Sequence, residues 1–332
     1  MEIPCEIYSV ALEYLRAKDV SWFRAVSKEH CRMSQVYEGD DTPIKQVKKW
    51  HQCFPKAKVV NLTGNFNTRE NDFIYFTQAV ELTLSISRIR LLDDLFLPLQ
   101  HLKHLNLLGY DSRDTPFQDG HCKHLTHLKS LTLGYYYAVT DDGLLCLTEL
   151  EQLTLRSCRE ITSRAIRGLK RLKRLEMYQP YLLTDDAFEG SNLEELKLTY
   201  SKVSDVGICH LKRLNHLTCF STPNVCGKGF DTLLNLEFLW LSDVTIRNSV
   251  CNGFGHIREL HFYNSSVECE VYDKFKKIEA IYFYESKIYP VSALEQLNTI
   301  PSFKKIGIYR CDQMSFHRSI LKSVFGNKLM TY

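Results

Sequence analysis

The chain has 332 residues, 44% apolar and 24% charged, which supports an extensive core and argues against intrinsic disorder. Its 42 basic and 39 acidic side chains nearly cancel to a net charge of +3, so no global attraction to nucleic acid or to an anionic membrane is expected, and no segment reaches the length of a bilayer span. No basic leader precedes an apolar run and a small-residue cleavage pattern, and the 12 cysteines contain no C-x-x-C pair; the expectation is a cytoplasmic or nuclear protein with reduced thiols.

Residues 1–41 predict a small helical domain. Pro4 suits a first helical position, and Ile7, Val10, Ala11 and Leu15 recur at helical spacing, giving a helix from Cys5 to about Leu15. Asp19 is placed to cap a second short helix through Val20, Phe23 and Val26, and Ser27 a third through His30, Cys31 and Met33. Three short helices enclose little core, so part of their apolar surface calls for a partner. Residues 42–56 follow as a linker and an amphipathic helix carrying Ile44, Val47, Trp50 and Phe54, expected to pack near Val59 and Val60.

From residue 57 to 332 one apolar pattern, L-x-x-L-x-L or a close variant, recurs about twelve times. Its last apolar position falls at Leu62, Leu84, Leu107, Leu133, Leu155, Met177, Leu198, Cys219, Leu241, Phe262, Phe283 and Ile308, in steps of 21 to 26 residues. That spacing lies in the range of leucine-rich repeats. Alternation at the end of each unit predicts one short strand with one buried face. Helix-start signals follow several strands, at Thr140-Asp141-Asp142, Thr184-Asp185-Asp186 and Ser204-Asp205, where the hydroxyl caps free N–H groups and the Asp favours the positive helix end. The expected fold is therefore α/β, a curved parallel ladder with short helices on its convex side and a concave strand surface facing solvent.

Residues 2–40 resemble the F-box: Ile3 stands for the usual leading Leu, and Pro4, Glu6, Ile7, Leu15, Asp19, Arg24, Val26, Ser27 and Lys28 match the motif, with His30 where a Trp often stands. The repeats resemble those that accompany it, most closely at Leu150, Leu153, Leu155, Cys158, Ile161 and Thr162. The whole chain is similar to the F-box and leucine-rich-repeat proteins, substrate receptors of Skp–cullin–F-box ubiquitin ligases. The resemblance implies that Ile3, Pro4, Ile7, Leu15 and Val20 form a face for a Skp-type adaptor and through it a cullin, and that the repeats hold a target protein. It implies no cofactor. The alternative is a repeat scaffold or inhibitor with no ligase partner, its first forty residues serving as a cap.

Positions that alternate with the core residues give the expected concave surface. They are mild in the first half: Asn61, Thr83, Asn106 and Thr132. In the second half they become aromatic, at Tyr178, Phe220, Trp240, His261, Tyr263, Tyr282, Tyr284 and Tyr309, with Phe238 just upstream of its core leucine. Trp and Tyr give large contact area for little lost side-chain entropy, so these residues are the candidate target-binding site. A competing reading has a C-terminal stretch with Ile320, Leu321, Val324 and Phe325 folding over them as a cap. No phosphate loop, nucleophile elbow, paired His motif or zinc spacing points to catalysis or to a metal.

Overall fold

The computed structural model describes residues 36–38, 47–53, 55–62, 68–85, 91–108, 116–134, 137–157, 159–311 and 318–331. Ile3, Pro4, Ile7, Leu15 and Val20, like Cys158, lie outside the described residues. The chain divides into two compact units, Met1–Glu160 and Ile161–Tyr332.

In the first unit the strands are β1 (Val36–Glu38), β2 (Val59–Leu62), β3 (Glu81–Ser85), β4 (His104–Leu108), β5 (Phe117–Gln118), β6 (Ser130–Leu133), β7 (Tyr137–Ala138) and β8 (Gln152–Arg156). The order β1-β2-β3-β4-β6-β8 forms a parallel ladder, and β5 pairs with β7 apart from it. Strand β1 precedes the first sequence repeat and pairs with it, Val36 opposite Val59. The helix Val47–Cys53 buries Val47, and its His51 ring lies 5.1 Å from Tyr75.

The second unit holds β9 (Arg174–Tyr178), β10 (Glu195–Thr199), β11 (His216–Phe220), β12 (Phe238–Ser242), β13 (Thr245–Arg247), β14 (Glu259–Tyr263), β15 (Ser266–Glu268), β16 (Ala280–Tyr284), β17 (Lys287–Tyr289), β18 (Lys305–Tyr309) and β19 (Leu329–Thr331). Its ladder runs β9-β10-β11-β12-β14-β16-β18-β19, every paired strand parallel.

Within each unit the marker residues of successive repeats are ladder partners. Leu62, Leu84, Leu107, Leu133 and Leu155 line up in the first unit. Met177, Leu198, Cys219, Leu241, Phe262, Phe283 and Ile308 line up in the second. None of the twelve is more than 5% exposed, so within each unit one column of side chains, one from each repeat, faces the core. Burying an aliphatic or Phe side chain contributes about 1.5–3 kcal/mol, and here each residue gains it only because a neighbouring repeat covers it.

The turn out of each second-unit ladder strand from β9 to β18 is left-handed without glycine. Gln179, Tyr200, Ser221, Asp243, Asn264, Glu285 and Arg310 have φ between 46° and 59° although left-handed backbone is strained for side-chain-bearing residues. The compensation is an additional rung: the N–H groups of Gln179, Tyr200, Asp243, Asn264 and Glu285 donate to carbonyls of the next strand at 2.8 to 3.0 Å.

On the return side, Thr140 and Ser204 cap helices Asp141–Leu145 and Asp205–Ile208, accepting from Asp142 and Val206 N–H. The third predicted helix, Asp185–Phe188, is 3-10 in form, and the Thr184 hydroxyl bonds the Asp186 carboxylate instead of capping the backbone. The other carboxylates tie repeats together. Asp119 accepts from Thr140 N–H and hydroxyl at 2.8 and 2.7 Å, Asp185 from Ser204 N–H and hydroxyl at 2.7 and 2.6 Å, and Asp205 from Cys226 and Gly227 N–H at 3.0 and 2.8 Å. Each thus satisfies orphan donors at the return segment of the following repeat, a charge-assisted link. In the last repeats β13, β15 and β17 form a second parallel sheet there, with Ile246, Val267 and Ile288 buried in register.

The C-terminal segment caps the end of the ladder. Strand β19 pairs with β18, and helix Arg318–Phe325 buries Leu321 and Phe325, the latter edge-on to Phe303 at 6.1 Å.

One buried polar group sets a pH dependence. His121 is fully buried between the rings of Phe96 and Phe117; its Nε2–H faces the carbonyls of Leu91 and Leu92 at 3.2 and 3.1 Å, and its Nδ1 accepts from Gln118 N–H at 2.9 Å. Burial holds its pKa below 6.5, against the pull of those carbonyls. Protonation would turn the acceptor Nδ1 into a donor facing another donor. The folded state binds the proton less readily than the unfolded one, so stability is complete above pH 6.5 and lost as pH falls from there toward the depressed value, with a slope of at most about 1.4 kcal/mol per pH unit for this residue. Thermal denaturation between pH 7.5 and 5 should show that loss, and His121→Phe should flatten it; an unchanged slope would sink the assignment.

An aromatic strip as the candidate functional site

Strand alternation in the second unit turns one set of side chains to the core and the other outward. Along one outward row Thr218, Trp240, His261, Tyr282 and Gly307 are ladder neighbours; along the next run Ser242, Tyr263, Tyr284 and Tyr309. Consecutive strands lie ~4.8 Å apart, the spacing at which planar rings stack.

The rings use it. Trp240 stacks on His261 at 4.6 Å and 12°, His261 on Tyr282 at 4.5 Å and 21°, and Tyr284 on Tyr309 at 4.9 Å and 13°. The two rows also meet, Trp240 lying parallel to Tyr284 at 5.8 Å. Phe220 adjoins Trp240 at 5.3 Å and Tyr263 at 6.4 Å. Seven of the eight residues predicted for the site are therefore joined by ring contacts into one strip. The eighth, Tyr178, packs edge-on against Tyr200 at 5.4 Å, further up the ladder.

Two members, His216 and Gly307, were not evident from the core-and-alternation pattern. His216 stacks on Phe238 at 3.9 Å and 6°, extending the strip along its edge, and Phe238 reaches His261 at 5.1 Å. At Gly307 a Cβ would collide with the rings of Tyr282 and Tyr309, so only glycine lets those two rings approach across the last full-length strand. A glycine inside an alternating strand pattern is the signal that marks it.

His261 sits at the centre of the strip and is 6% exposed. Burial lowers its pKa, against the opposing effect of the Glu259 carboxylate. The neutral ring donates Nε2–H to Glu259 at 2.7 Å, which leaves Nδ1 buried without a hydrogen-bond partner; the indole N–H of Trp240 is in the same state. Burial also lowers the pKa of His216 and raises the hydroxyl pKa of Tyr282 and Tyr284. At neutral pH the strip itself is uncharged.

Its margins are charged. Glu259 lies on one side. On the other, Asp243 accepts from Ser221, Ser242 and Asn264, whose hydrogen bonds lower its pKa despite burial, and Glu285 accepts the Tyr263 hydroxyl at 3.2 Å. Arg310 faces Glu285 at 3.5 Å. These contacts fix the orientation of the rim side chains.

The C-terminal helix does not fold over this surface. Around its apolar side lie Ile288, Tyr289, Pro290 and Val291, on the return side of the repeats, with Phe303 against Phe325. Among the described residues no group of three or more His, Cys, Asp and Glu side chains is arranged to hold a metal, and no helix is long and apolar enough to cross a membrane.

No protein-family model and no curated protein matches the chain. Solved structures do. An internalin from Listeria monocytogenes is similar over 84% of this chain and 81% of its own, with a TM-score of 0.59 at 17% identity. A leucine-rich-repeat protein of Leptospira interrogans is similar over 84% and 85%, with a TM-score of 0.52 at 18% identity. TLR13, solved as a complex with single-stranded RNA, matches over 85% of this chain and 48% of its own, with a TM-score of 0.60 at 17% identity. With the repeat spacing and the parallel ladders, these likenesses establish that the chain has the leucine-rich-repeat fold.

Proposed function

We propose that the chain is a non-catalytic recognition subunit: the aromatic strip of the second unit holds a target protein, and residues 1–41 deliver it to a Skp–cullin ubiquitin ligase. The observation that carries the first half is the strip itself, outward-facing rings of consecutive strands bordered by oriented polar side chains. It has the composition of an interface centre, Trp and Tyr over a polar rim. Trp240 Nε1 and His261 Nδ1 add to this, because buried polar atoms with no partner cost about 1–3 kcal/mol each, and a bound partner that shifts the rings can satisfy them.

The second half rests on the resemblance of residues 2–40 to the F-box. In this reading Ile3, Pro4, Ile7, Leu15 and Val20 contact the Skp-type adaptor. The chain supplies no reacting group, and ubiquitin transfer is promoted by raising the effective concentration of a target lysine near a conjugating enzyme. No cofactor is required.

The test is co-purification of the full chain with a Skp-type adaptor and a cullin. Wild type should retain both, and Pro4→Ala with Ile7→Asp should lose at least about 90% of the adaptor while still capturing the target, as expected when central interface contacts are removed. If wild type retains no adaptor, the chain is a repeat scaffold or inhibitor without a ligase partner.

A further inference from the structure

Two thiols that the target-binding reading does not use are placed for chemistry. Cys251 ends the helix Asn248–Cys251, in the repeat that begins with β12, and Cys269 follows β15, in the repeat that begins with β14. Their Sγ atoms are 3.0 Å apart, and neither residue is exposed. That separation is shorter than the roughly 3.5–4.0 Å at which unbonded carbon atoms of a core settle, and about 1 Å from the disulfide length.

We propose that Cys251 and Cys269 are a peroxide-oxidised pair that closes a disulfide between adjacent repeats, on the side opposite the aromatic strip. One of the two, as the thiolate, attacks the peroxide. Its sulfur takes one oxygen of hydrogen peroxide to form a sulfenic acid, releasing hydroxide. The other thiol then displaces that oxygen, its proton leaving with it as water. The sum is two thiols and one peroxide giving one disulfide and two waters, the peroxide being the oxidant. Because both sulfurs are buried, attack proceeds through local opening of the return segment.

The bond would fasten together the repeats that carry Trp240 on one hand and His261 and Tyr263 on the other. Closure links two repeats that otherwise separate when one of them opens, so oxidation should slow local opening of this part of the ladder.

Peptide mapping tests this on the full, reduced chain. After hydrogen peroxide, alkylation and trypsin, the fragment from Asn248 to Arg258 should be joined to the fragment from Glu259 to Lys274, with a mass roughly 2 Da below their sum and separable by a thiol reductant. Each fragment holds one cysteine, so the link is unambiguous. The oxidised chain should melt a few degrees higher than the reduced one, and Cys251→Ala should lose both the link and the shift. The proposal is overturned if the two fragments stay separate and alkylated under peroxide that oxidises the partly exposed Cys146, or if the link appears only in denaturant.

Discussion

Phe262→Ala should destabilise the second unit by about 3–5 kcal/mol, the range for deleting a fully buried Phe ring. Phe262 has no exposed surface, lies between Leu241 and Phe283 in the core column, and stacks on the Phe283 ring at 5.8 Å and 25°. The removed volume cannot be refilled easily, because the ladder fixes the backbone on both sides at strand spacing. Coupling in a repeat array passes through nearest neighbours, so the cavity weakens the covers of two adjacent repeats together. The next residue gives the contrast. Tyr263 points outward and is 36% exposed, so Tyr263→Ala should cost about 1 kcal/mol or less. Chemical denaturation of the two variants measures the difference directly. Equal costs would mean that the alternation of faces is wrong.

The core column was legible because it depends on a period alone: twelve apolar markers at near-constant spacing leave one way to align the strands, and all twelve are buried. The outward row was legible for the same reason, since alternation assigns Trp240 and Tyr263 to the face opposite Leu241 and Phe262. What the pattern could not supply was anything decided between repeats. Asp185 looks like a helix-start residue beside its own Thr184, yet its carboxylate is taken by Ser204 of the following repeat. Position φ is similarly hidden: Gln179, Tyr200 and Glu285 are poor left-handed residues by propensity, and the rung that compensates them comes from the next strand. His216 occupies an ordinary outward strand position, and only the Phe238 ring one strand away makes it part of the strip. The C-terminal helix was recognisable as a cap from Leu321 and Phe325, but its docking side is set by Phe303 and the Tyr289–Val291 turn, residues far from it in sequence.

Trp240→Ala combined with Tyr284→Ala should abolish target capture while leaving the fold in place. The two rings lie parallel at 5.8 Å with His261 close to both, at 4.6 and 6.0 Å, so together they form the middle of the strip. Removing central aromatic anchors of an interface costs 2 kcal/mol or more apiece, and the pair should therefore weaken binding by at least about 100-fold, below detection in co-purification. Neither ring belongs to the buried core column, and Leu241 and Phe283 beneath them keep their covers, so the melting temperature should fall by only a few degrees. The matched control is Tyr181→Ala, a large aromatic 49% exposed in the same unit and outside the strip. Proteins retained by wild type and by Tyr181→Ala, but lost from the double variant, are targets held by this surface. If the double variant retains the same proteins as wild type at an unchanged melting temperature, the strip is not the recognition site; if it unfolds, the rings belong to the core and the division of the ladder into an inner and an outer face fails with them.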